Sequence, residues 1–195
     1  MRRFLILFDD IPIDKASVKS GRNSSEVVTA CRCVNVGLFI SGDLRRDVIV
    51  SLAKGQFDDM RVVSFPGNTL KRVSPDERSI SFFLLKSMNV AEKLPQNSHQ
   101  ILDNGIIVTR TNLTEFISGC SPERILIARR DGEIILDSVL LLDNAILIYE
   151  TGTQCDFAGI EYQNLGDFRV YYTQPYPPHP ERFILDVNLL SDAEE

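Results

Sequence analysis

The chain is built from short, almost uninterrupted apolar runs, and no other feature constrains its fold more tightly. RRFLILF opens it, DVIVSLA (47–53) and RVVSF (61–65) follow, then GIIVTR, RILIAR, AILIYE and FRVYY in the second half. Runs of this length bounded by turn residues read as strands. Between them lie segments with helical spacing. Residues 24–40 place Val27, Ala30, Cys31, Val34 and Leu38 on one stripe, with Asn23 as the expected N-cap and Glu26 closing a capping box. VSPDERSISFFLLKSM predicts a helix capped by Ser74, with Pro75 in its first turn and Glu77 completing the box; Ile80, Phe83, Leu84 and Met88 form its buried stripe. TNLTEFISG and the stretch from Glu181 to Leu190 predict two more helices, and DGEIILDS a turn and a short strand. Strands alternating with short helices predict an α/β fold with a mainly parallel sheet. The polar stretch LPQNSHQILDN, 94–104, reads as a linker between two halves of one domain spanning 1–195.

Composition narrows the function classes. No run approaches the roughly 20 apolar residues that cross a bilayer. The opening MRR precedes only a short apolar run closed by Asp9 and Asp10, so it reads as a first strand rather than a signal. Cys31, Cys33, Cys120 and Cys155 have no metal-ligand spacing, and His99 and His179 are too few and too badly placed to help them. A reduced, cytoplasmic protein without a metal is expected. Walker, dinucleotide, nucleophile-elbow and metalloprotease patterns are absent from the sequence.

Net charge is -6, yet Arg32, Arg45, Arg46, Lys71, Arg72 and Arg78 gather within the first 80 residues. Net acidity argues against a broad nucleic-acid surface but leaves room for a local basic one. Arg32 falls off the apolar stripe of its helix. Arg78 sits near a helix N-terminus, where the macrodipole disfavours a cation, so it calls for another reason. In parallel sheets ligands bind beyond the carboxyl ends of strands, which here selects ETGTQCDFAG after AILIY and TQPYPPHP after FRVYY.

ACRCVNVGLFISGDLRRDVIV followed by LKRVSPDERSI resembles the tRNA pseudouridine-54 N1-methyltransferases, the TrmY family of the SPOUT superfamily. The matching positions are Cys31, Arg32, Cys33, Arg45, Arg46, Asp47 and Val48, then Leu70, Lys71 and Ser74 through Arg78. The resemblance is strongest over 30–88 and continues more loosely to about 150. It implies a deep C-terminal trefoil knot, a homodimer, S-adenosylmethionine as methyl donor and tRNA as substrate. It places the cofactor on Glu150, Thr151 and Gly152, on Tyr172, Thr173, Gln174, Pro175, Tyr176 and Pro177, and near Ala128 and Phe183.

The chain departs from the family where the cofactor would sit. Glu150-Thr151-Gly152 replaces a glycine-aspartate-histidine loop, and only the proline survives of the Ser-Leu-Ser-Pro-Leu-Glu stretch. Val28 stands at the aspartate of a Gly-Arg-x-Asp element. Glu150 would either repel the cofactor's carboxylate or contact its ribose.

Methylating the N1 of pseudouridine requires the loss of its proton. Asp47 with Arg46 is the expected catalytic pair, and Arg32, Arg45 and Arg78 the expected substrate contacts. Asp47 serving only as a salt-bridge partner of Arg46 or Arg78 is the plainer alternative. At the level of function, the alternatives are a knotted RNA-binding protein that has lost methyl transfer, and an α/β protein of unrelated small-molecule chemistry. Homodimerisation is expected through the closing helix, with its apolar set Phe183, Ile184, Val187 and Leu190, and the neighbouring surface; core packing within one chain is the plainer role for those residues.

Overall fold

The computed structural model describes residues 1–141, 144–152 and 168–193. Cys155, Gly159 and the rest of the loop beyond Gly152, with the last two residues of the acidic tail, lie outside the described residues. In chain order the elements are β1 (Arg2–Phe8), α1 (Lys15–Ser20), α2 (Ser25–Leu38), β2 (Phe39–Ile40), β3 (Asp43–Leu44), β4 (Val48–Gln56), β5 (Asp59–Pro66) and α3 (Glu77–Ala91). Then follow β6 (Ser98–Ile101), β7 (Ile107–Thr111), α4 (Leu113–Cys120), β8 (Arg124–Ala128), β9 (Ile134–Ile135), a 3₁₀ turn, β10 (Ala145–Glu150), β11 (Arg169–Gln174) and α5 (Pro180–Asp192).

One sheet carries the order β6-β7-β5-β4-β1-β10-β8-β11-β9. From β4 to β9 every pairing is parallel, and β5, β7 and β6 extend it as an antiparallel edge. The expected mainly parallel α/β architecture is present. The 94–104 stretch is not a linker: its residues Ser98–Ile101 pair with Arg110–Ile107 as the edge strand. Its polar residues suit a strand with one side open to water.

Strand β1 is central, and its residues 4–8 are all buried. Alternate residues feed two cores. Phe4, Ile6 and Phe8 join α2, α3 and α5 on one face, while Leu5 and Leu7 join Leu113 and Ile117 of α4 on the other. Burial on both faces is why this run lacks polar alternation.

Two helix starts differ from expectation by one or two residues. Ser24, not Asn23, caps α2 through its hydroxyl, which accepts from the Val27 N–H. Asn23 is engaged elsewhere, its side-chain amide donating to Glu77. Helix α3 is capped by Asp76, whose carboxylate accepts from the Ser79 N–H at 2.8 Å, so Ser74 and Pro75 precede it. Both true caps have extended backbone and a short side-chain acceptor, the geometry an N-cap requires.

The cysteines of α2 face inward. Burial, reinforced by the Glu77 and Asp76 carboxylates, pushes the Cys31 thiol up to about 12. Cys33 is fully buried and, through desolvation first, raised well above its ordinary value. A raised thiol pKa means that the folded state retains a proton the unfolded chain releases. Stability from these groups is therefore complete below the unfolded thiol pKa of about 8.5 and declines as pH rises above it. Urea unfolding should show lower midpoints from pH 9 upward, and Cys33→Ala should flatten that decline. Iodoacetamide should leave both thiols unmodified at neutral pH until the chain unfolds.

Two edges of one sheet as candidate sites

The parallel strands bring the candidate cofactor residues to one edge. Ala128, Glu150 and Tyr172–Gln174 end the adjacent strands β8, β10 and β11, with Thr173 in register with Ala128. Thr151 extends the edge toward β1, its N–H and hydroxyl both donating to Leu7 O at 2.9 and 3.0 Å. Gly152 lies against Asp9, whose carboxylate a Cβ at this position would overlap. The neighbouring cavity of about 330 Å³ is lined by Asp9, Asp10, Glu26, Thr151 and Gly152.

An aromatic pair joins the two loops. Tyr176 stacks on Tyr149 with centroids 4.8 Å apart and planes within 5°. The Tyr176 hydroxyl donates to Glu150 O at 3.0 Å, and the Tyr149 hydroxyl to Pro177 O at 2.5 Å. Burial first, then Tyr176, raises the Tyr149 pKa, keeping this hydroxyl a donor. Gln174 is fixed by donating to Gly132 O and Arg130 O. Phe183 is wholly buried beneath, edge-on to Phe4 and tilted against Tyr149, so it supports this edge from the core.

Asp47 and Arg46 lie at the opposite edge. Asp47 precedes β4, and Val48 pairs with Arg2 at the start of β1, whereas Glu150 pairs with Leu7 near its end. Five strand positions separate those registers, about 17 Å. Asp47 accepts from the Arg2 guanidinium at 2.8 Å, and Arg2 is only 5% exposed in its side chain. Arg45 binds Asp192 of α5 at 2.5 Å, and Asp192 also approaches Arg2 at 3.7 Å. Arg46, expected beside Asp47, donates instead to Asp43 and to Gly67 O. Asp43 is held below its ordinary pKa by the Leu44 N–H and by Arg46.

The other substrate candidates stand elsewhere. Arg32 meets Glu181 at 3.6 Å, bridging α2 and α5. Arg78 is exposed in the first turn of α3, with no side-chain partner among the described residues. The five candidates thus do not form one cluster. Arg2, Asp9 and Tyr149 lie at these candidate sites and were missed by pattern alone. Arg2 had a signal, a cation opening the first strand, but its pairing with Asp47 is visible only in the sheet. Among the described residues no group of three or more histidines, cysteines and carboxylates could hold a metal ion, and no helix is long and apolar enough to cross a membrane.

The sequence profile of the family described as "Putative SAM-dependent RNA methyltransferase" matches residues 1–152. The chain belongs to this family. Among relatives, the tRNA (pseudouridine(54)-N(1))-methyltransferase of Methanococcus aeolicus is 35% identical over 116 residues, 58% of this chain and 55% of that protein. The enzyme of the same name from Natronomonas pharaonis is 27% identical over 140 residues, 70% of this chain and 69% of its own. The match thus spans about half the length of the first of these relatives. The crystal structure of Archaeoglobus fulgidus Nep1 bound to S-adenosylhomocysteine aligns with a TM-score of 0.60 at 11% identity, over 98% of this chain and 97% of that one. At that identity the likeness shows a shared fold.

The Arg2–Asp47 pair gives a direct test of Asp47's structural role. Arg2 Nε and Nη1 are buried without partners among the described residues, so Asp47 carries most of its compensation. Asp47→Asn should lower unfolding free energy by about 1–2 kcal/mol, between the values for exposed and buried pairs, because Asp47 itself is half exposed. Urea denaturation measures this directly.

Proposed function

We propose that this chain is a single-domain S-adenosylmethionine-dependent methyltransferase acting on N1 of a pseudouridine in the tRNA T-loop, as a cytoplasmic homodimer. The family match over residues 1–152, which includes the Cys-Arg-Cys and Arg-Arg-Asp-Val motifs, is the observation that carries it. The names of the Methanococcus and Natronomonas relatives supply the nucleotide.

The carboxyl edge fits the cofactor in chemistry. Backbone groups at Ala128, Glu150–Gly152 and Tyr172–Pro177 would hold it, and the Asp9, Asp10 and Glu26 carboxylates suit a cationic sulfonium. When bound, S-adenosylmethionine supplies an electrophilic methyl group. The protein's part is then to orient the base and take the N1 proton as that nitrogen is methylated. The expected trefoil knot would involve β10, β11 and α5, the last of which packs on α2.

Asp47 cannot reach the cofactor edge of its own chain across about 17 Å of sheet. A catalytic Asp47 therefore acts on a base seated over the cofactor loops of a second copy, with an Arg32 or Arg78 contact supplied by either chain. Two-fold packing would bring the amino edge of each copy to the carboxyl edge of the other. The apolar face of α5 does not provide that interface. Phe183, Ile184 and Val187 are buried in their own chain and Leu190 packs partly against the same core, leaving Leu189 exposed.

The stacked Tyr176–Tyr149 pair and the Tyr176–Glu150 hydrogen bond favour the second reading, an RNA-binding protein that has lost methyl transfer, because they tie together the two loops that would flank the cofactor.

Titration calorimetry with S-adenosylhomocysteine separates the two readings. The enzyme should bind it at micromolar levels, and Gly152→Trp should abolish binding while leaving the fold intact. An absence of binding by the wild-type chain would favour the second reading. For the dimeric site, Asp47→Asn and Gly152→Trp should each be inactive on a pseudouridine-containing T-arm. An equal mixture should recover about a quarter of wild-type transfer, since half the dimers are mixed and each then holds one intact site. Zero recovery in a mixture shown to exchange subunits would rule out action across the interface.

A further inference from the structure

We propose that the groove between α1 and α3 is an RNA-docking surface that holds the phosphate backbone of the substrate and stacks one of its bases on Phe82. The proposal rests on the RNA substrate proposed above and extends the contact far beyond the reacting nucleotide. The groove encloses about 730 Å³. Lys15 and Lys19 line it one helical turn apart on α1, and Arg78, Phe82 and Lys86 line it at successive turns of α3. The one carboxylate in the lining, Asp76, is engaged in capping α3.

The charge is available. Among the described residues none of Lys15, Lys19, Arg78 and Lys86 forms an ion pair, whereas Arg2, Arg32, Arg45, Arg46, Lys54, Arg61 and Arg110 all do. The chain's net charge of -6 does not cancel this field, because charges farther than about 8–10 Å are screened at physiological salt. Phe82 is 44% exposed, braced edge-on by Phe83 at 5.3 Å, and has Lys86 at 4.6 Å from its ring centre. A large exposed aromatic side chain alternating with cations along a helix suits a nucleic-acid strand, which presents charged phosphates and flat bases together. It also explains Arg78, placed against the helix dipole: the phosphate it would meet outweighs that penalty.

The groove and the candidate cofactor edge are joined by one short segment of chain. The chain leaves β1 at Phe8, passes Asp9 and Asp10 on the acidic cavity and enters α1 at Lys15. RNA held there would flank the reacting base, where a phosphate track adds affinity without competing for the acidic pocket.

The test uses the full chain, a fluorescent tRNA transcript and an unstructured 20-nucleotide RNA, with anisotropy read at several salt concentrations. Replacing three cations together (Lys15→Gln, Lys19→Gln, Lys86→Gln) should weaken tRNA binding about tenfold or more near physiological salt. It should also reduce the slope of log affinity against log salt by about two to three, since each phosphate contact contributes about 0.7–0.9. Phe82→Ala should lose about tenfold with the slope unchanged, and Phe82→Tyr should retain affinity. Calorimetry with S-adenosylhomocysteine monitors the other edge, and binding there should be unaltered in every variant that the wild type can match. Wild-type affinity and slope in a folded triple variant would overturn the proposal and leave the groove to an acidic protein surface. If the wild type binds tRNA but transfers no methyl group, the enzymatic reading fails and the docking surface stands on the variant data. If the wild type binds neither RNA, the docking surface is overturned whatever the cofactor result.

Discussion

Parallel pairing of β1 with β4 on one side and β10 on the other is the constraint on which the rest depends. Its register, Arg2 with Val48 at one end and Leu7 with Glu150 at the other, sets which residues reach each edge. Backbone bonds continue the pairing at both ends: Arg2 N–H donates to Asp47 O, and Thr151 N–H to Leu7 O. A shift of one residue would turn every side chain of β1 to the wrong face and separate Phe4 from Phe183 and Leu7 from the α4 core. Burial of residues 4–8 on both faces makes such a shift costly, at about 1.5–3 kcal/mol for each large apolar side chain exposed.

The same register divides the chemistry between two edges. The amino edge holds a charge network, Arg45–Asp192–Arg2–Asp47, that ties α5 to the first strand. The carboxyl edge is acidic and aromatic, with Asp9, Asp10, Glu26, Tyr149 and Tyr176 around backbone-rich loops. Within one chain these edges cannot share a substrate base. The constellation that looks catalytic in the sequence is therefore structural in its own subunit, and under the dimer proposed above any chemistry it performs would fall on a base bound by the partner. Both roles for Asp47 are compatible, since an aspartate oriented by the nearly buried Arg2 is also a positioned one.

Electrostatics follows locality rather than total charge. An acidic chain keeps a basic groove because its carboxylates are committed elsewhere: Asp59 to Arg110 and Arg61, Glu92 to Lys54 and Arg61, and Asp76 to a helix cap. Asp59 titrates below the ordinary carboxylate range, chiefly through its hydrogen bond from Arg110. The four cations facing the α1–α3 groove are among the described cations that this pairing leaves without an ion pair.

The strands, helices and α/β class were legible in the sequence because apolar runs and helical stripes report local burial, which each segment decides for itself. The motif at 31–48 and 70–78 was equally legible, and it carried the family. Cap positions slipped because Ser24 and Asp76 compete with equally suitable neighbours, and the choice falls to contacts such as Asn23 with Glu77. The supposed linker became an edge strand because polar residues are tolerated wherever a strand has one open side. Only the tertiary structure decided that Asp47 belongs with Arg2, that Arg45 belongs with Asp192, and that α5 spends its apolar face inside its own chain. Those partners lie 45, 147 and more than 100 residues apart in sequence, and no local pattern encodes them. They are set by strand register and helix packing, which exist only once the whole sheet has formed.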